Sequence, residues 1–191
     1  MSRHFEQYGE LFQVDAEHFD EFYSTLKKIT LKKSDFFLQS GEKCQYLGFV
    51  KKGTMRSYYI NENGDDISFI FHFDNQFFAD YESILCNTVS YLNIQAMEDS
   101  ELLLLDKNDL QNLYEKEMYW QKFGRLMTEK IYLDTKKRLE NLLYYSPEKR
   151  YTNLLEENPL VFEKIPQKYI AGYLGITPQS LSRIRKRIRK H

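Results

Sequence analysis

The residues most able to do chemistry crowd into the last 27 positions. The run IPQKYIAGYLGITPQSLSRIRKRIRKH, Ile165 to His191, holds no Asp or Glu, and six of its last ten residues are Lys or Arg. From Lys164 onward there are eight basic side chains and no acidic one, so residues 1–163 keep 19 basic against 28 acidic groups. An acidic body with a basic end suits a polyanionic partner. Charge alone fits a solvated tail, a helical hairpin of another purpose, or a folded head that reads nucleic acid.

The apolar spacing inside the run separates these readings. Two helices fit, one over Pro166–Leu174 and one over Pro178–Arg189. Thr177 followed by Pro178 is a helix start: a hydroxyl for the free amides, then a ring with φ already set. Gly175 sits where the first helix must end in a left-handed residue. Only three residues, Gly175-Ile176-Thr177, join the helices, as in a helix-turn-helix. Ala171, one turn before Gly175, is small enough for a close crossing. Ile170, Leu174, Ile176, Leu181, Ile184 and Ile188 form the apolar skeleton, which a solvated tail has no reason to carry.

The outward residues of the second helix then acquire roles. Gln179, Ser180 and Arg183 are placed to reach base edges, Gln suiting adenine and Arg suiting guanine. Lys186, Arg187, Arg189 and Lys190 are placed for phosphates, with Ser182 on the same polar side and Arg185 pointing sideways. Thr177 either caps the helix alone or also donates to a phosphate.

The elements that position this head lie upstream. Residues 15–28 read as a helix capped by Asp15, with Phe19, Phe22, Tyr23 and Leu26 on one face. From about Ile29 short β-prone runs alternate with turn signals at Ser40-Gly41, Lys52-Gly53 and Asn63-Gly64. The last of these, between MRSYYINE and DDISFIFHF, is the strongest hairpin signal. Further strands are expected over 90–98 and 100–106, giving an antiparallel sandwich or jelly roll. Residues 108–145 then read as one long helix carrying a stripe of Trp120, Phe123, Met127, Ile131, Thr135, Leu139 and Leu142. That stripe either faces the chain's own core or pairs with its twin in a homodimer. Ser146 and Pro147 start the next helix, which runs toward Pro159.

Composition excludes other classes. With 42% hydrophobic and 16% aromatic residues the chain can bury a core. No apolar run reaches the length of a membrane span, and the N-terminus lacks a signal-peptide apolar region, so a cytoplasmic protein is expected. Cys44 and Cys86 read as two reduced thiols. Four scattered histidines (4, 18, 72, 191) offer no metal set, and no phosphate loop or nucleophile motif argues for an enzyme, so no metal, cofactor or catalytic residue is expected.

The roll LQSGEKCQYLGFVKKGTMRSYYINENGDDISFIF and the terminal IPQKYIAGYLGITPQSLSRIRKRI together resemble the Crp/Fnr family of bacterial transcription regulators. The resemblance implies an α+β fold: an N-terminal β jelly roll over 1–107, a long dimerisation helix over 108–145, and a helix-turn-helix domain over 146–191 with a truncated or absent wing. It implies a homodimer on an inverted-repeat site in double-stranded DNA, with RNA polymerase as a further partner and Arg183 at the position of a base-reading arginine. A sensor module for a small molecule or protein, without specific DNA binding, is the alternative. Members that bind cyclic AMP carry a Gly-Glu pair and then an Arg-Ser pair at the phosphate. The matching positions here are Ala79-Asp80 and Ser90-Tyr91, so the charge that pairs the phosphate is missing and Asp80 and Glu82 would repel it. The cysteine cluster of iron–sulfur members is absent too. His72 is a haem ligand only on paper and reads as a core or edge histidine. Phe69, Phe71, Phe78, Tyr81, Tyr91 and Gln95 are left either to line a pocket for another effector or to fill the roll.

Overall fold

The computed structural model describes residues 16–188, and the side chains of 16, 17, 19 and 20 are outside that description. The proposed Asp15 cap, the Phe19 contact, His4, His191, Arg189 and Lys190 therefore lie beyond the described residues. In chain order the elements are α1 (Ala16–Thr25), β1 (Lys27–Leu31), β2 (Phe36–Leu38), β3 (Tyr46–Lys52), β4 (Met55–Ile60), β5 (Asp66–His72), β6 (Phe77–Phe78), α2 (Tyr81–Cys86), β7 (Asn93–Ala96) and β8 (Ser100–Asp106). Then follow α3 (Lys107–Lys116), α4 (Met118–Tyr144), α5 (Pro147–Glu157), α6 (Leu160–Lys164), α7 (Gln167–Tyr173) and α8 (Pro178–Ile188). No described helix is long and apolar enough to cross a membrane. The expected α+β class holds.

The strands form two four-stranded sheets, ordered β1-β8-β3-β6 and β2-β7-β4-β5. Turn glycines make the reversals between strands. Gly41, Gly53 and Gly64 have φ of +97°, +121° and +83°, values that L side chains rarely adopt. At the Asn63-Gly64 hairpin, Asn61 accepts the Gly64 amide at 3.0 Å, and its side-chain oxygen takes the amides of Asn63 and Asp65. The Asn61 carboxamide thus organises the turn that Gly64 closes.

The chain divides into two compact units, one of residues 1–56 with 72–130 and one of residues 57–71 with 131–191. In the first, Phe22, Phe49, Leu103, Leu105, Leu110, Leu113 and Trp120 make the buried cluster. Helix α1 ends at Thr25, short of the expected Lys28, because Lys27 and Lys28 pair with Leu104 and Leu103 across β1 and β8. A second difference is sharper. The helix expected over 108–145 is two helices, broken at Glu117, which is fully extended (φ −161°, ψ 157°). The cause is tertiary: the break lets Leu110 and Leu113 of α3 and Trp120 of α4 enter one cluster. It also brings Gly124 so close to Tyr114 that a Cβ there would lie 2.4 Å from the Tyr114 hydroxyl.

The stripe drawn along α4 splits accordingly. Trp120 is buried, and Phe123 and Met127 pack against the same cluster. Ile131, Leu139 and Leu142 are 47%, 55% and 36% exposed, and every residue from 128 to 137 is exposed on this helix. In the second unit, Ser146 caps α5 by accepting the Lys149 amide at 3.3 Å, with Pro147 at the first helical position, as its sequence indicates. The short helix α6, unforeseen in the sequence, buries Val161 and sets Phe162 edge-on to Tyr151 at 5.0 Å.

Candidate nucleic-acid interface

The two terminal helices form within a residue or two of their expected bounds. α7 ends where Gly175 takes φ +65° and its amide bonds the Gly172 carbonyl at 3.1 Å, while the Ile176 amide bonds Ala171 at 3.0 Å. Those bonds satisfy carbonyls left free at the helix end and turn the chain sharply. Thr177 Oγ1 accepts the Ser180 amide at 3.2 Å and lies 3.1 Å from Ser180 Oγ, so it caps α8. Ala171 is completely buried, and Ile170, Leu174, Leu181 and Ile184 are nearly so. Ile176 and Ile188 are half-buried. The expected skeleton holds the two helices together.

The opposite face of α8 is bare. Gln179, Ser182, Arg183, Lys186 and Arg187 are exposed, and Ser180 and Arg185 are half-buried. Arg183 reaches Ser180 Oγ at 3.5 Å, a long contact that leaves its guanidinium available. Arg187 pairs with Glu148 at 3.4 Å, both well exposed. An exposed pair of this kind is worth about 0–1 kcal/mol and yields readily to a phosphate. Ser180, Arg183, Lys186 and Arg187 border an open groove of about 650 Å3, with Pro147 at its rim. Cations on one side of a rigid helix, without an acid among them after Glu163, make an electropositive edge.

The candidate effector residues have other tasks in the roll. Asp80 caps α2 through the Ser83 amide at 3.2 Å, and Glu82 is exposed in its first turn. Ser90 is buried and its hydroxyl exchanges bonds with the Leu92 backbone. Tyr91 is 77% exposed, and Gln95 donates to the Ser34 carbonyl at 2.9 Å. Tyr81 packs against the buried cluster and bonds Tyr114, whose phenol is pushed upward by burial first and by Tyr81 second. Phe78 fills the space over Gly48 and meets Phe37 edge-on at 4.8 Å. In the second unit Phe69 faces Tyr59 at 5.6 Å and Phe71 packs on Tyr173 at 5.4 Å.

His72 is buried, and that burial lowers its pKa to about 4. It is a neutral core imidazole at physiological pH, as its sequence setting suggested. Cys44 is buried with its thiol pushed up by burial, and Cys86 is exposed; both are free. Two residues with a part in this head escaped sequence reasoning: Arg138 and Arg150 have no motif around them, and only the fold gives them company.

Residues 28–117 match the cyclic nucleotide-binding domain family. Over most of its length the chain superimposes on several solved structures. FixK2 from Bradyrhizobium japonicum gives a TM-score of 0.73 at 16% identity, over 86% of this chain and 85% of that one. A transcriptional regulator of the Crp/Fnr family from Eubacterium rectale gives 0.72 at 18% identity, over 98% and 88%. The chain has the Crp/Fnr fold. The c-di-GMP-responsive regulator CLP of Xanthomonas campestris shares that fold at a TM-score of 0.70 and 14% identity, over 92% of each chain. No curated protein matches in sequence.

Proposed function

We propose that this chain is a dimeric, sequence-specific DNA-binding transcription regulator of Crp/Fnr type that does not respond to cyclic AMP or cyclic GMP. The observation that carries the reading is the face of α8: Gln179, Arg183, Lys186 and Arg187 exposed, on a helix whose other side is locked by Leu181 and Ile184. Gln179, Ser180 and Arg183 read bases; Lys186, Arg187, Arg189 and Lys190 grip phosphates, and Ser182 and Thr177 flank them. The exposed half of α4 joins two copies, so two such helices address an inverted repeat with half-sites about one helical turn apart. RNA polymerase is the partner through which binding affects transcription.

Genome-wide footprinting supplies the repeat, and fluorescence anisotropy on a duplex carrying it tests the reading. Affinity is expected to fall steeply with salt as counterions are released. Arg183→Ala is expected to cost about 1–3 kcal/mol on the cognate duplex and much less on a scrambled one. Lys186→Ala is expected to weaken both duplexes alike. Binding that ignores salt and the Arg183 change removes the DNA reading and leaves a sensor module.

The cyclic-nucleotide statement has its own measurement. Where a bound cyclic phosphate needs an arginine, this chain offers Ser90, with the Asp80 carboxylate nearby in sequence capping α2. Calorimetric titration with cyclic AMP or cyclic GMP is expected to give no heat of binding at micromolar concentrations. Micromolar affinity for either would refute it.

A further inference from the structure

In the second unit the first helix of the head packs against a strand from far upstream. Gly172 on α7 faces the backbone of β5: a Cβ built there would lie 3.6 Å from the Asp66 carbonyl oxygen and 3.7 Å from the Ser68 amide nitrogen. Those are ordinary contact distances, so alanine fits and a larger side chain does not. Tyr173 packs on Phe71 of β5 at 5.4 Å, and Lys168 stands 3.9 Å from Asp66. Arg138 of α4 clasps the two. Its guanidinium lies 3.8 Å over the Tyr173 ring and 5.8 Å from the Phe69 ring, and Nη2 donates to the buried Ser68 carbonyl at 3.1 Å. A flat guanidinium can stack on a ring and donate from its edge at once, which a lysine ammonium cannot.

The head behind this contact is one body. Helices α7 and α8 share the buried Ile170, Ala171, Leu174, Leu181 and Ile184, and only residues 174–177 lie between them. The direction of α8 therefore follows that of α7. The head is also tied to α4 where α5 begins. There Arg150 Nη1 donates to the Leu142 and Tyr145 carbonyls at 3.2 and 3.0 Å, and Asn153 donates to Asn141 at 2.9 Å. One point of attachment leaves a body free to pivot. The Arg138 clasp on α7 is a second, and two points hold a direction.

We propose that Arg138 is a positioning residue for DNA recognition: by holding Tyr173 of α7 to Ser68 of β5 it sets the bearing of the α8 face, and so the half-site spacing that a dimer accepts. The inference rests on the DNA-binding reading above and deepens it, assigning spacing, rather than base identity, to a residue off the reading helix. A dimer gains from its second half-site only when both reading helices meet the groove together. Heads held rigidly against α4 accept one spacing. Heads free to swing accept several and gain less at each, because their freedom is lost on binding.

Anisotropy on a single half-site, on the cognate inverted repeat and on repeats with the half-sites moved apart stepwise tests the clasp. The unmodified chain is expected to prefer its cognate spacing to one wrong by half a helical turn by about 100-fold. Arg138→Leu is expected to leave half-site affinity unchanged and to cut that preference about tenfold. Gly172→Leu, which pushes β5 away without altering Arg138, is expected to do the same, while Gly172→Ala keeps the preference. An undiminished preference in Arg138→Leu, or equal losses on half-site and repeat, overturns the proposal. If the unmodified chain binds no duplex, the DNA reading fails instead, and small-angle X-ray scattering decides the clasp without DNA. There Arg138→Leu is expected to broaden the pair-distance distribution and lengthen the maximum dimension, with helical circular dichroism unchanged. A profile that superimposes on that of the unmodified chain overturns the proposal, whatever the duplexes show.

Discussion

Replacing Ile131 and Leu139 by glutamate is expected to leave the chain folded, halve its mass in solution and weaken its binding to a cognate inverted repeat about a thousandfold. Both side chains are about half exposed, on a helix whose residues 128–137 are all exposed among the described residues, with Tyr132 and Leu143 exposed beside them. Charges at such positions disturb no internal packing, so helical circular dichroism should be unchanged. Apolar residues at helical spacing on a bare helix are the pattern of an intermolecular seam. Two heads joined by that seam bind the second half-site at high effective concentration, an advantage of roughly 10²–10⁴ that a monomer forfeits. Light scattering and anisotropy read the two effects separately. Unchanged mass with lost affinity, or the reverse, breaks the link between seam and DNA binding.

The same helix shows what sequence could and could not disclose. Its apolar stripe was legible from Trp120 to Leu142, because side-chain spacing is local information. The break at Glu117 was not, since nothing in Lys116-Glu117-Met118 opposes a helix. Only Trp120 joining the cluster of Phe22 and Leu113, and Gly124 admitting Tyr114, make two helices better than one. The head was legible almost to the residue: Ala171, Gly175, Thr177 and Pro178 each impose a local backbone or packing demand. The end of α1 was misplaced because Lys27 and Lys28 join β1 through partners some 75 residues away in sequence. Arg138 was invisible for that reason as well, its company being Tyr173 and Ser68. Interactions within a few residues can be read directly, whereas those closing long loops appear only once the roll has formed.

Gly53→Ala is expected to be the most damaging single change among the turn glycines, and comparison with Gly64→Ala shows why. Both have positive φ, so both substitutions carry a backbone penalty of about 1–2 kcal/mol. Around Gly64 nothing lies within 4 Å of a new Cβ, so the penalty ends there. At Gly53 the added atom would sit 2.2 Å from Ser100 Oγ and 2.8 Å from the Ser100 backbone. A hydroxyl can rotate away; a Cα held in β8 cannot. Ser100 Oγ also accepts the Thr54 amide at 3.3 Å, and the Gly53 amide donates to Asp74 at 2.7 Å, so relieving the clash breaks the turn's own bonds. The combined cost is about 4 kcal/mol or more, a large part of a typical stability of about 5–15 kcal/mol. For a chain of this size that lowers the unfolding midpoint by more than about 10 °C, against roughly 3–5 °C for Gly64→Ala. Calorimetry on the two variants decides the matter: equal shifts would mean that positive φ alone governs these turns and that β8 gives way at Ser100.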